Sequence, residues 1–157
     1  MSDTSTVTEL PMSAKQLPAI IKHFIQLYQQ LNKGNLQRLS EIYAANIKFQ
    51  DPLHQVNGLK QLTEYFANLY ENVSHIHFDI THTIVSDCQL QASLFWTMSY
   101  THPKLNKGQI IKVDGMSLLK FNKIIFYHRD YFDAGEMLYQ HVPILGGVIR
   151  MLNNRMG

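Results

Sequence analysis

The hydrophobic period changes once along this chain, near Ser74, and that change limits the fold more than any other feature. Before it, Ile20, Ile21, Phe24, Leu27, Tyr28 and Leu31 recur three and four residues apart, which is one face of a helix. Gly34 supplies a stop, and Asn35 is placed to cap a second helix. Leu36, Leu39, Ile42 and Tyr43 extend that second stripe to about Ala45. Ile47 to Gln50 reads as a short strand halted by Asp51-Pro52, and Gly58 opens a third helix carrying Leu59, Leu62, Tyr65, Phe66 and Leu69. After Ser74 the period is two: Ile76, Phe78, Ile80 and Ile84 alternate with polar neighbours. Asp87-Cys88-Gln89 is a hairpin turn between that strand and a long one over Leu90–His102. Two further strands, Gln109–Phe121 and Ile124–Phe132, meet at Asn122-Lys123. Three helices followed by an antiparallel meander predict an α+β domain.

Several function classes are poorly served by this sequence. The formal charge is +2 and the basic residues are scattered, so no stripe points to nucleic acid. Met1 to Pro11 is polar and has no apolar core of a secretory signal; with the lone Cys88, this predicts a cytoplasmic protein. There is no glycine-rich phosphate loop, nucleophile elbow or dinucleotide fingerprint, and no cofactor is expected. His75 and His77 share a strand face, but it is the face opposite Ile76 and Phe78, and no third ligand is spaced to join them. No metal is expected.

Three short motifs go further. They are the turn Asn32-Lys33-Gly34-Asn35, the Phe49-Gln50-Asp51-Pro52 junction, and His128-Arg129-Asp130-Tyr131-Phe132-Asp133 near the end of the last strand. Together they resemble the SnoaL-like branch of the nuclear-transport-factor-two-like superfamily, over roughly Leu17 to Asp133. Ketosteroid isomerase, limonene epoxide hydrolase and polyketide cyclases belong to that superfamily. The resemblance implies a cone: a curved antiparallel sheet wrapped around three N-terminal helices and enclosing one deep pocket. It divides the chain into a disordered lead over 1–13, a cone domain over 14–135, and an added apolar helical tail over 136–157. The tail would pack on the cone or on a dimer mate, with docking on a lipid surface as the alternative.

The resemblance also turns the Trp96 and Asp130 faces inward. The pocket would then be lined by Leu27, Tyr28, Phe66, Trp96, Met98, Tyr100, Ser117 and Phe132, with Asp51, His128 and Asp130 as the catalytic candidates. Asp51 aligns with the general base of ketosteroid isomerase; by residue type alone it is equally an Asx-turn residue before proline. That enzyme's oxyanion tyrosine falls at Leu27, beside Tyr28, and its protonated aspartic acid falls near Ser117. Asp130 aligns with an aspartate of the epoxide hydrolase's water-activating group. The partner arginine and aspartate of that group fall at Trp96 and Met98, so an epoxide hydrolase of that design is not expected. A buried carboxylate held by hydrogen bonds is the other reading of Asp130. His128, two residues along the strand, is expected beside Asp130 without touching it.

These features predict a protein that binds a small apolar molecule, steroid-, terpenoid-, polyketide- or fatty-acyl-like. It would act as an isomerase, cyclase or hydratase with an aspartate base. A non-catalytic carrier and a dimeric interaction module are the alternatives. Phe95, Met116, Leu118, Tyr127 and Tyr131 point away from the pocket and predict a homodimer through the outer sheet face.

Overall fold

A computed structural model describes residues 16–137, together with residues 148, 151, 152 and 154–156. The lead expected over 1–13 and most of the tail expected over 136–157 lie outside the described residues. The described tail residues are helical, and Val148, Met151, Leu152 and Met156 among them are exposed.

The first helix, α1 (Ala19–Gln30), buries Ile21, Phe24, Leu27 and Tyr28. This is the stripe that the spacing predicts. The chain turns over at Asn32–Asn35, where side chains satisfy the backbone: Asn32 Oδ1 accepts from Gly34 N at 2.8 Å, and Asn35 Oδ1 accepts from Asn32 N at 2.7 Å. Asn35 thus folds back on the turn and does not cap a following helix.

The second predicted helix is a correction. Only Leu36–Glu41 is helical, and it is a 3-10 turn that buries Leu36 and Leu39. Residues three apart eclipse one another in such a turn, so the same i, i+3 spacing serves it. Tyr43 already belongs to strand β1 (Tyr43–Gln50), where it pairs with Ile125 far along the chain. A three-residue strand that the periodicity does not signal, β2 (Gln55–Asn57), folds back on β1. Gly58 then starts α2 (Leu59–Asn72) with φ of 89°, a left-handed backbone in which a side chain would be strained. Leu62 and Phe66 are the buried face of α2.

The meander follows as β3 (Ser74–Val85), β4 (Gln91–Thr101), β5 (Ile111–Phe121) and β6 (Ile125–Phe132), and a short α3 (Ala134–Met137) closes the described core. The sheet order is β2-β1-β6-β5-β4-β3. Every pairing is antiparallel except β1 with β6, which is parallel. The sheet is therefore mixed, and the pairing that breaks the meander joins the helical half of the chain to its last strand. Among the described residues no helix is long and apolar enough to cross a membrane.

Alternation on β4 and β5 sorts the faces as expected. Ala92, Leu94, Trp96, Met98 and Tyr100 point inward, as do Ile111, Val113, Ser117, Leu119 and Phe121. On β6, strict alternation predicts Phe126, His128, Asp130 and Phe132 on the inward face, and that set needs one change. The register with β5 shifts between Lys120 and Phe121, and the bulge buries Ile125 and leaves Phe126 40% exposed. The core forms two clusters. One joins α1, α2 and β1 to Leu94 and Leu119; the other gathers Trp96, Met98, Tyr100, Leu105, Ile111 and Val113.

Candidate functional site

Polar groups enter this apolar interior at the junction of the two clusters. The strand register brings them there. Ser117 lies opposite Asp130 across β5 and β6, Leu119 opposite His128, and Phe49 opposite His128 across β1 and β6. One residue beyond the Gln50–Arg129 pair, Asp51 and Asp130 reach the same corner and border the same cavity.

A continuous hydrogen-bonded chain runs through this junction. The hydroxyls of Tyr28 and Tyr43 lie 2.5 Å apart, and the Tyr43 hydroxyl lies 2.6 Å from His128 Nδ1. On the other side of the ring, His128 Nε2 is 2.7 Å from Asp130 Oδ1. Ser117 Oγ donates to the same oxygen at 2.5 Å and accepts from Trp96 Nε1 at 2.9 Å. A carboxylate oxygen only accepts, so Nε2 carries a proton toward Asp130. For the neutral ring, Nδ1 then accepts from Tyr43, whose oxygen accepts from Tyr28. Every donor in the chain thus points toward Asp130.

His128 and Asp130 are therefore in contact, against the expectation that strand neighbours two apart stay side by side. Both project from the same face, and the buried imidazole turns along the strand to meet the carboxylate. Burial pushes the hydroxyls of Tyr28 and Tyr43 well above the ordinary phenol range, with the Asp130 charge adding to it in both. Both are thus neutral hydroxyls, able to donate.

Asp51 is held differently. Its Oδ1 accepts from the backbone N–H groups of Leu53 at 2.7 Å and His54 at 2.6 Å, and its Oδ2 accepts from the Tyr65 hydroxyl at 2.5 Å. This is an Asx turn locked by a tyrosine from α2. Burial first, and then the Asp51 charge, raise the Tyr65 phenol. Asp130, by contrast, receives both of its hydrogen bonds on Oδ1, and among the described residues nothing donates to Oδ2. Its side chain keeps 18% of its surface exposed.

Three cavities meet these groups: two that adjoin each other, and a third of about 320 Å³ lined by Gln50, Pro52, Arg129, Tyr131 and Phe132 with both aspartates. The inner chamber has a volume of about 40 Å³ and is bordered by Tyr28, Phe66, Trp96, Met98 and Phe132 with both aspartates. The outer vestibule, about 490 Å³, is walled by Leu53, Leu69, Val73, Tyr100, Leu105 and Met137. Asp51, Tyr65, Leu69 and Met137 belong to both and form the neck between them. The Tyr100 hydroxyl donates to the Met137 carbonyl and ties α3 to the vestibule wall.

Of the residues singled out in the sequence, Tyr28, Phe66, Trp96, Met98, Phe132, Asp51 and Asp130 come together at the chamber. Tyr100 lies in the vestibule, and Ser117 and His128 stand behind the wall, joined to it through Asp130. Leu27 does not border either of the adjoining cavities; it is fully buried in the helix core, and the next residue, Tyr28, takes the chamber position. Sequence reasoning missed Tyr43 and Tyr65 as site residues. Their signal was a hydroxyl set in an otherwise apolar stripe, which once buried needs a partner. His75 and His77 are exposed, and among the described residues no three His, Cys, Asp or Glu side chains are grouped to hold a metal ion.

Gly115 gives Trp96 its place. A side chain there would put a Cβ 2.3 Å from the indole ring, so the ring lies across the glycine on the neighbouring strand. The indole edge then reaches Ser117, and its face meets Phe78 edge-on at 5.5 Å.

The fold is shared with solved structures at low sequence identity. A protein of Catenulispora acidiphila with a ketosteroid isomerase-like fold, solved in complex with trimethylamine, superposes with a TM-score of 0.68 and 17% identity, over 82% of this chain and 96% of that one. A Jannaschia protein described as a SnoaL-like polyketide cyclase gives 0.63 and 13%, over 73% and 85%. An epoxide hydrolase of M. tuberculosis gives 0.60 and 12%, over 75% and 79%. None of the curated proteins matches the sequence. The sequence pattern of the SnoaL-like domain matches residues 24–124, from α1 through β5. With the cone, the sheet order and that match in agreement, the chain belongs to the SnoaL-like domain family.

Proposed function

We propose that this protein binds a small apolar molecule in the inner chamber and moves a proton on it with Asp130 as the general base. An isomerase, a cyclase or a hydratase would each use that step. The observation that carries the reading is the division of labour on the Asp130 carboxylate. Oδ1 takes hydrogen bonds from His128 and Ser117, Oδ2 has no donor among the described residues, and Asp130 borders the chamber. A carboxylate fixed on one oxygen and free on the other is oriented to take a proton from carbon next to a carbonyl. Tyr43 acts as a positioning residue, holding the imidazole through Nδ1. Asp51 is the less suited of the two, because three donors occupy its oxygens.

Deuterium exchange provides the test. Simple ketones that perturb Trp96 fluorescence are incubated with the protein in D₂O, and loss of their α-protons is followed by NMR. Wild-type protein should catalyse exchange and Asp130→Asn should not. Exchange that survives Asp130→Asn and disappears in Asp51→Asn would overturn the assignment. Native mass spectrometry of protein from its host would reveal a retained ligand.

We also propose that two copies pair through the outer sheet face. Phe95, Met116, Leu118 and Tyr127 are partly exposed there, and Tyr131 is 41% exposed. A monomer alone in sedimentation at micromolar concentration would count against pairing.

A further inference from the structure

The two adjoining cavities differ about twelvefold in volume, and the smaller one holds the candidate base. We infer that the natural ligand is a single flexible chain: an electroneutral, oxygen-bearing head in the inner chamber and a linear aliphatic body in the vestibule. This rests on the proposed chemistry for the identity of the head, and on the cavities for the shape of the body.

The head must be small. A volume of about 40 Å³ is only a few times the ~10–15 Å³ that a site needs to hold one water. A site that engulfs a rigid molecule of drug size has several hundred Å³. The chamber cannot gain that width cheaply, because its walls are interlocked rings. Tyr28 meets Phe66 and Phe78 edge-on at 6.1 and 5.7 Å, and Phe78 meets Trp96 in the same way at 5.5 Å. Interiors packed in this manner give way only at a cost in contacts. A fused ring system therefore does not enter the chamber. A methyl ketone or a primary alcohol passes.

The head must also be uncharged or positive. Asp51 and Asp130 both border the chamber. A fatty acid carboxylate would be placed against two carboxylates in a site of low polarity, where like charges repel strongly. A ketone, ester or alcohol has no such conflict.

The body takes its shape from the vestibule. Leu53, Leu69, Val73, Leu105 and Met137 supply an aliphatic surface, and His54, Asn68, Asn72 and His102 are among the polar lining residues. The volume of about 490 Å³ falls within the range of small-molecule sites. Asp51, Tyr65, Leu69 and Met137 line both cavities, so a chain whose head sits in the chamber extends past them into this space. Each methylene buried there contributes about 0.8 kcal/mol, which is roughly a fourfold gain in affinity per carbon.

The experiment titrates the protein with a homologous series of 2-alkanones and reads Trp96, the only tryptophan of the chain and a wall of the inner chamber alone. Affinity should rise about fourfold per methylene and then level off once the vestibule is full. Progesterone and the fatty acid of matching length should bind more weakly and leave Trp96 nearly unchanged. Leu105→Phe and Val73→Phe each fill vestibule space without touching the chamber, so the plateau should move to shorter chains while short ketones still report at Trp96. Two variants are used so that one misfolded protein does not decide the matter. A flat series, progesterone that shifts Trp96 with the affinity of the best ketone, or a plateau unmoved in the folded variants would overturn the inference. The proton-transfer reading fails separately: Asp130→Asn would then keep both its exchange activity and the chain-length profile.

Discussion

Two aspartates reach the same chamber from neighbouring strands and are held by opposite means. Asp51, at the end of β1, is held by the backbone of its own turn and by Tyr65 on α2. Asp130, within β6, is held only by side chains, His128 and Ser117, and on one oxygen. Backbone donors are fixed by the course of the chain, so a carboxylate that satisfies them serves the fold. Side-chain donors orient a carboxylate and leave part of it uncommitted. The chemical environments of the two residues look alike in sequence, and the source of their donors sets them apart.

The sharpest way to break the comparison is Asp130→Asn. Catalysed α-proton exchange on a bound ketone should fall by about 10² to 10⁴, the usual contribution of a general base, with the fold intact by circular dichroism. Asp51→Ala should do the reverse. It removes the Asx turn and strands the buried Tyr65 hydroxyl, so urea unfolding should report a loss of about 2–4 kcal/mol, while exchange per folded molecule stays within a few-fold of wild type. Equal losses of activity in the two variants would erase the distinction.

The tyrosines sharpen it at a smaller scale. Tyr65→Phe deletes one hydrogen bond and should destabilise by about 1 kcal/mol, and Tyr43→Phe deletes two, to Tyr28 and His128, and should cost about 2 kcal/mol. Only Tyr43→Phe should also slow exchange, because only Tyr43 acts on Asp130 through His128. The smallest effect concerns alkali. The phenols of Tyr28, Tyr43 and Tyr65 are raised by burial and by the two carboxylates, and those of Tyr70 and Tyr100 are pushed up to about 12 by burial. A raised folded-state pKa means that the neutral form is favoured in the native protein. The resulting stability is fully present below the unfolded value near 10 and is lost as pH climbs through the folded one. Absorbance at 295 nm should therefore show these five ionising above about pH 10 together with the loss of far-ultraviolet dichroism. Ionisation of all five with the fold intact would show that the tyrosines are not sealed in.

How far the sequence could be read follows the same division between local and long-range order. Helices α1 and α2 and the four strands of the meander were legible because each repeats one period over eight residues or more. The run Leu36–Tyr43 was not, since a 3-10 turn and the entry to a strand can share the spacing of a helix, and the pairing of Tyr43 with Ile125 decides the matter. For the site, Asp51, His128, Asp130, Ser117 and Trp96 stood out by residue type and by resemblance. Their connections did not. The contact of Tyr43 with His128 depends on the parallel pairing of β1 and β6, and the lock of Tyr65 on Asp51 depends on how α2 lies over the β1 corner. Neither arrangement is written in any local period. The bulge that exposes Phe126 is a third case, one extra residue that periodicity cannot place.

The parallel pair also bears on the time at which the site comes into being. Strands β3, β4 and β5 can pair with their sequence neighbours as they leave the ribosome, but β1 pairs with β6, and Tyr43 and His128 are separated by 85 residues. Contacts of such separation form late, because the intervening chain must be ordered or spanned first. A nascent chain that has reached Phe121 already contains Tyr28, Tyr43, Asp51, Trp96 and Ser117, and it lacks both His128 and Asp130. It also lacks the strand that joins its helical half to its meander. Among the described strands, the last to be made is thus both the keystone of the sheet and the carrier of the proposed base, so that base would take its place only when the sheet is joined.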